Sequence, residues 1–303
     1  MFNINNIKPT AKYDTTTYKW SVPGFARPLR IAHLSDLHNA SFEWILPELE
    51  KYNPDLIAIT GDLVNGYDLP YEPNELGLTP MFKSILPFEA NIKPFLMRCV
   101  SLAPTYVSLG NHEWHASDRD IERFRKIGAI VLDNEWIELE YKFNNQNILL
   151  GGLTSQVMMG KRGYYRNHPE MKGYYPIRDR RKRRKRTDPP VLDYEFVDAF
   201  AALPGYKILL SHHPEYWAVK EPFLQNRSID LVLSGHAHGG QIRIGRSNPH
   251  SLYAPGQGLF PKYAFGMHRS ETSTLIVSRG LSNTVIIPRF GNPPEIVFIE
   301  LSS

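Results

Sequence analysis

Five short polar clusters, each directly behind a short run of Ile, Val and Leu, constrain this chain more than anything else in it. They are SDLH (Ser35 to His38), GDL (Gly61 to Leu63), GNHE (Gly110 to Glu113), SHHP (Ser211 to Pro214) and GHAH (Gly235 to His238). The preceding runs are Leu29 to Leu34, Leu56 to Thr60, Tyr106 to Leu109, Lys207 to Leu210 and Leu231 to Leu233. Runs of this length, bounded by Gly, Asp or Asn, read as buried strands. With helical segments between several of them, the pattern is that of a mostly parallel sheet. Ligands of such sheets gather outside the carboxyl ends of the strands, so all five clusters are expected at one edge.

The clusters supply two aspartates, an asparagine and at least four histidines, the side chains that hold borderline divalent metals through oxygen and nitrogen. Asp36 and His38, like His236 and His238, are spaced so that an extended strand exit would turn both side chains the same way. Asp62 follows Gly61, which allows a sharp turn that brings the carboxylate inward. Asn111 adds a neutral carbonyl oxygen and His212 another imidazole. Seven donors exceed what one ion needs, and a shared carboxylate would give two ions four protein ligands each. Two metals roughly 3.5 to 4 Å apart are the usual machinery for in-line displacement at phosphorus, so the residues point to phosphoester hydrolysis. Mixed oxygen and imidazole donors suit Mn, Fe, Zn, Co or Ni.

Composition narrows the rest. At 303 residues, with no composition break between Asp36 and His238, one α/β domain with insertions fits. The expected division is an N-terminal extension at 1–28 and a single domain at 29–303, with a basic insertion around 156–190. Cys99 is the only cysteine, which excludes an intramolecular disulfide and a thiolate metal site. The N-terminal stretch lacks a signal-peptide core and no apolar run is long enough to span a bilayer, which makes a cytoplasmic protein the default, peripheral at the membrane if a surface recruits it. Most of the excess positive charge sits between Arg178 and Arg186. A solvated loop, attraction to an anionic membrane surface or envelope polymer, and nucleic-acid binding are the readings of that run, the last being the weakest.

Helices are expected from about Phe42 to Lys51 with Ser41 as N-cap, and over Met81 to Val100 with breaks at Pro87 and Pro94. Two more are expected, one after Ser117 as far as Gly128 and one from about Asp193 to Leu203. Trp136 to Leu139 and Ile148 to Leu150 read as a hairpin. Thr274 to Ser278, Val285 to Ile287 and Ile296 to Ile299 add strands that suggest a second sheet packed on the first.

Taken in order, SDLH, GDL, GNHE, the histidine of LLSHHP and GHAHGGQ resemble the calcineurin-like metallophosphoesterases over roughly Arg30 to Ile242. The tail segments APGQGLFPKY, VSRGLSNT and PRFGNPPEI are similar to a bacterial branch that includes phosphodiesterases and a UDP-diacylglucosamine pyrophosphatase. The resemblance implies a four-layer α-β-β-α sandwich of two mixed sheets flanked by helices. It implies that Asp36, His38 and His238 hold one metal, that Asn111, His212 and His236 hold the other, and that Asp62 bridges them. A bridging hydroxide would then attack phosphorus. His112 would touch the phosphoryl oxygen or protonate the leaving group as a charged donor. The His-x-Pro pattern of the family selects His212 over His213, and neighbours on an extended exit would in any case face opposite ways. His115 and Arg279 are candidate substrate contacts, Arg279 being equally suited to a structural salt bridge. Phosphodiester hydrolysis is the expected activity. A UDP-sugar-lipid pyrophosphatase at a membrane surface, a nuclease and a non-catalytic metal-bound scaffold are the alternatives.

Overall fold

The computed structural model describes residues 13–64, 90–115, 118–155, 192–245, 250–282 and 289–303. The basic run Arg178 to Arg186, the insertion around 156–190 and the expected strand Val285 to Ile287 lie outside the described residues.

Two six-stranded mixed sheets form the centre. In the first, β1 (Asp14–Ser21) lies parallel to β16 (Glu295–Ser302), which runs antiparallel to β2 (Leu29–Leu34); β3 (Leu56–Thr60), β4 (Thr105–Ser108) and β5 (Ile130–Val131) continue parallel to β2. In the second, β6 (Glu135–Phe143) and β7 (Gln146–Leu153) form the expected hairpin. Parallel to β7 follow β8 (Lys207–Ser211), β9 (Leu231–Ser234) and β15 (Thr274–Val277), and β14 (Gly266–Arg269) closes the edge antiparallel to β15. The helices α1 (Leu46–Tyr52), α2 (Ile92–Leu102) and α3 (Asp118–Ile127) cover the first sheet, and α4 (Tyr194–Ala202) and α5 (Glu215–Ala218) the second.

The period-two alternation of strand side chains explains why the central strands are apolar throughout. Along β3, Leu56 and Ala58 face the second sheet while Ile57 and Ile59 face the helices. Along β8, Ile208 and Leu210 face the first sheet while Leu209 turns to Phe196 and Phe200 of α4. Three apolar layers result, one between the sheets and one under each helical face, which is the α-β-β-α sandwich. Truncating a fully buried side chain such as Phe95, Phe124 or Phe200 to Ala would cost about 3–5 kcal/mol.

Several local expectations are corrected. Helix α1 begins at Leu46, with Ile45 at the N-cap and no side-chain cap, so Ser41 does not cap it; Pro47 sits in the first turn, where it costs nothing. Pro94 likewise falls in the first turn of α2, after the N-cap Asn91, and breaks no hydrogen bond. Within the stretch 1–28, β1 pairs along its whole length with β16 and alternates half-buried with exposed positions, as an edge strand does. Among the described residues, no helix is long and apolar enough to cross a membrane.

Candidate metal centre

All five clusters leave the carboxyl ends of β2, β3, β4, β8 and β9, where the two sheets meet. Backbone hydrogen bonds fix the loops to each other. The N–H groups of Asp36, His38 and Asn39 donate to the carbonyls of Gly61, Asp62 and Leu63 at 3.1, 3.0 and 2.8 Å. Gly235 N–H donates to His212 O at 3.0 Å, and His236 N–H reaches the Asp36 carboxylate at 3.0 Å across the seam.

The loops approach so closely that side chains would not fit. A Cβ on Gly61, whose φ is +82°, would lie 2.3 Å from Gly110 N, and one on Gly235 would lie 1.8 Å from Ser35 Oγ and 2.4 Å from Asp36 Oδ2.

Five donor residues have left-handed backbone, with φ of 56° at Asp36, 47° at His38, 52° at Asp62, 66° at His236 and 47° at His238. Such conformations cost free energy in non-glycine residues and concentrate at functional sites. This corrects the stereochemical reasoning from sequence: Asp36 and His38 converge because both turn left-handed, not because an extended strand points them the same way.

The resulting cluster is compact and buried. His38 Nε2 lies 3.6 Å from Asp36 Oδ1 and 3.7 Å from Asp62 Oδ2. His238 Nε2 lies 3.4 Å from Asp36 Oδ1, and His212 Nε2 lies 3.0 Å from Asp62 Oδ2. Asn111 Oδ1 is 3.1 Å from His212 Nε2, and His236 stands with its ring 5.1 Å from that of His212. Asp62 thus stands between the group Asp36, His38, His238 and the group formed by Asn111, His212 and His236.

His213 is brought in as well, contrary to the expectation that it faces away. Its Nε2 is 3.2 Å from Asn111 Oδ1, its ring is 4.1 Å from that of His236, and it shares a metal-sized donor group with His212 and His236. Strand geometry ends at Ser211, so alternation no longer governs the neighbours.

Electrostatics follow from burial and from the paired aspartates. Burial alone would raise Asp36 and Asp62, but the surrounding imidazoles, His238 foremost for Asp36 and His212 for Asp62, hold both well below the usual carboxylate range. Burial opposes charge on His212 too, yet Asp62, Asp36 and the Thr60 carbonyl, to which its Nδ1 donates at 2.6 Å, raise it to about 10. Burial lowers His236 and His238 to about 3.

The donor set fits divalent metal ions on its own chemistry. Two carboxylates are kept anionic, two imidazoles are kept neutral, and His38 Nε2 and His236 Nε2 are buried with no hydrogen-bond partner. A buried donor or acceptor left unmatched costs about 1–3 kcal/mol, which an ion at the cluster would remove.

His112 lies at the open side, its side chain 31% exposed and its Nε2 3.9 Å from Asp62 Oδ2. Its backbone N–H donates to Asp62 Oδ1 at 2.8 Å. Burial lowers its pKa to about 4, partly offset by Asp62, which favours the neutral imidazole in the metal-free protein. Arg279 makes the structural salt bridge that was one of its two expected roles. Its guanidinium is buried against Glu295 Oε1 at 3.0 Å and Asp14 Oδ2 at 2.9 Å, which ties β1 to the turn after β15. The His115 side chain lies outside what the structure describes.

Two supporting residues escaped the sequence reading. Glu113, the last residue of GNHE, is buried and accepts the N–H groups of Asp62, Leu63, Val64 and Gly110 at 2.7 to 3.2 Å. An acid directly behind a donor turn was the available signal. Arg289 donates from Nη2 to His238 Nδ1 at 3.0 Å and to the Ser282 carbonyl.

With this geometry in hand, comparison with known proteins is informative. The calcineurin-like phosphoesterase family model matches residues 29–240. The chain is 25% identical over 286 residues to the uncharacterized metallophosphoesterase YkoQ of Bacillus subtilis, covering 91% of this chain and 84% of that one. To YkuE of the same organism it is 36% identical over 111 residues, 37% of this chain and 36% of that one. Among solved structures, a dimetal phosphatase from Danio rerio superposes with a TM-score of 0.44 at 9% identity, over 83% of this chain and 87% of that chain.

Proposed function

Because the chain belongs to the calcineurin-like phosphoesterase family, we propose that it is a hydrolase of phosphoric diesters that works with two divalent metal ions. The observation that carries this reading is the place of Asp62, whose Oδ2 lies 3.7 Å from His38 Nε2 and 3.0 Å from His212 Nε2, between two buried donor groups. Two ions bound there would supply Lewis acidity and lower the pKa of a water for in-line attack on phosphorus. Asp36, His38 and His238 would hold one ion, Asn111, His212 and His236 the other, and Asp62 would serve both.

The remaining residues position and exclude. Glu113 fixes the Asp62 and Gly110 loops through their backbone N–H groups, and the His112 N–H holds Asp62 Oδ1 at 2.8 Å. His112, the most exposed imidazole measured against Asp62, offers a neutral N–H to a phosphoryl oxygen or leaving group on the open side. His213 packs its ring against that of His236, centroids 4.1 Å apart and planes tilted by 31°, and limits its rotation. Preference for diesters over monoesters is drawn from the tail segments around Pro255 to Tyr263 and Pro288 to Ile296, which are similar to the diesterase branch. The cluster residues themselves would serve either ester.

The test is hydrolysis of bis-p-nitrophenyl phosphate beside p-nitrophenyl phosphate by metal-stripped protein, with and without added Mn²⁺. Metal-restored cleavage that favours the diester is expected. Faster cleavage of the monoester would overturn the diester preference, and no cleavage with any divalent ion would leave a metal-bound scaffold as the better reading.

A further inference from the structure

From Leu231 to Pro294 the chain carries six Lys or Arg residues, of which Arg279 is paired with Glu295 and Asp14, against a single acid, Glu271. Within this stretch it builds a small apron beside the metal centre. Strand β10 (Arg243–Ile244) pairs with β11 (His250–Ser251), and β12 (Tyr253–Ala254) pairs with β13 (Gly258–Leu259). Backbone bonds stitch the pairs together: Arg243 N–H to Phe290 O, Leu252 N–H to Ile242 O and Phe260 N–H to Leu252 O, each at 2.9 Å.

Register separates the two faces of the apron. Ser251 and Ala254 are buried, and Ser251 Oγ donates to Gly239 O at 2.9 Å. The outward positions hold Ile244, Tyr253, Leu259, Phe260 and Phe290, which are 60, 52, 68, 71 and 69% exposed. The four most exposed large hydrophobic residues among the described residues all lie here. Single exposed apolar side chains are ordinary, but their concentration in these two joined strand pairs and the neighbouring Phe290 marks an interaction surface. Phe260 is also held at a φ of 51°, a conformation that bulky residues avoid.

The apron is fastened to the centre. Asn292 Nδ2 donates to His238 O at 2.7 Å and to Gln241 O at 3.2 Å, and Arg289, next to Phe290, reaches His238 Nδ1 at 3.0 Å. Whatever the apron binds is therefore brought beside the His238 turn.

We propose that this apron docks on an anionic lipid bilayer. The charge around it selects that occupant: Lys262 is exposed beside Phe260, Arg243 belongs to β10, and no acid occurs between Leu231 and Ser270. Aliphatic and aromatic side chains bordered by cations suit the headgroup boundary of an anionic leaflet, where the rings insert and the cations remain with the phosphates. A second copy of the chain is a poorer match, because a two-fold contact would set Lys262 and Arg243 of one apron against the same residues of the other.

The docking stands apart from the hydrolytic reading and is measured without substrate. Full-length, metal-loaded protein is sedimented with vesicles of phosphatidylcholine alone and of phosphatidylcholine mixed with phosphatidylserine, at low and high salt. Binding to the anionic vesicles that weakens with salt, and falls about tenfold in Leu259→Ser/Phe260→Ser, is the expected result. Both positions are exposed, so the variant should keep its melting temperature, which shows that the fold survives. Equal binding by wild type and variant would overturn the assignment. Absence of anionic-vesicle binding would overturn it too, as would a concentration-dependent dimer in solution that the double variant abolishes.

Discussion

Glu113 Oε2 accepts the backbone N–H of Asp62 at 2.9 Å, so the turn that carries the carboxylate between the two donor groups is anchored by a second buried carboxylate on a different loop. Burial and the nearby Asp62 charge push Glu113 up, while the backbone donors around it favour the anion. The arrangement transfers rigidity from the GNHE turn to the GDL turn.

Glu113→Gln should therefore damage both stability and turnover. The amide nitrogen cannot accept a hydrogen bond, and each buried N–H it leaves unmatched costs about 1–3 kcal/mol. A melting temperature lower by about 4 °C or more is expected by calorimetry, with a reduced rate of diester cleavage at saturating metal. A variant with unchanged melting and rate would show that the clamp is dispensable.

Metal uptake should release a proton and strengthen as pH rises. In the metal-free protein His212 is held charged up to about 10, although a free imidazole loses its proton near 6.5, and an ion needs the neutral ring. His236 and His238, lowered to about 3, do not titrate in that window. By the same linkage, the stability that His212 lends the metal-free fold is complete below 6.5 and is lost as pH climbs through about 10. Calorimetric titration in buffers of different ionisation enthalpy measures the released proton, and a binding enthalpy independent of buffer would contradict the prediction.

Arg279→Ala should unfold the protein more readily without altering substrate affinity. It leaves Glu295, itself buried, without its cation, and breaking a buried pair costs about 3–5 kcal/mol. The Asp14 side of the triad is more exposed and contributes less. A chemical-denaturation midpoint well below wild type with the KM for the diester unchanged is expected. A raised KM with wild-type stability would return Arg279 to the substrate site.

Much of this was legible in the residues because strand ends carry their own punctuation. The runs before Ser35, Gly61, Gly110, Ser211 and Gly235 named the strands, and the polar residues behind them named the converging edge. What escaped depends on partners distant in sequence or on backbone that carries no local signal. Strand β1 has a β-prone sequence, DTTTYKWS, but its place in the sheet is given only by pairing with β16 at the other end of the chain. The left-handed φ of Asp36, His38 and His236 is set by loop-to-loop hydrogen bonds that no spacing encodes. The His-x-Pro pattern selects His212 alone, and strand alternation, which would turn His213 away, stops applying where β8 ends. The burial that lowers the His112 pKa likewise has no local signal in the sequence.

The most direct test of the account is the metal content of purified, reconstituted protein, measured by mass spectrometry for wild type and for Asp62→Asn alongside diester cleavage. The account predicts about two divalent ions per wild-type chain, with both the second ion and most of the activity lost in the variant. Wild-type protein that binds fewer than two ions, or an Asp62→Asn variant that keeps full occupancy and full activity, would contradict it.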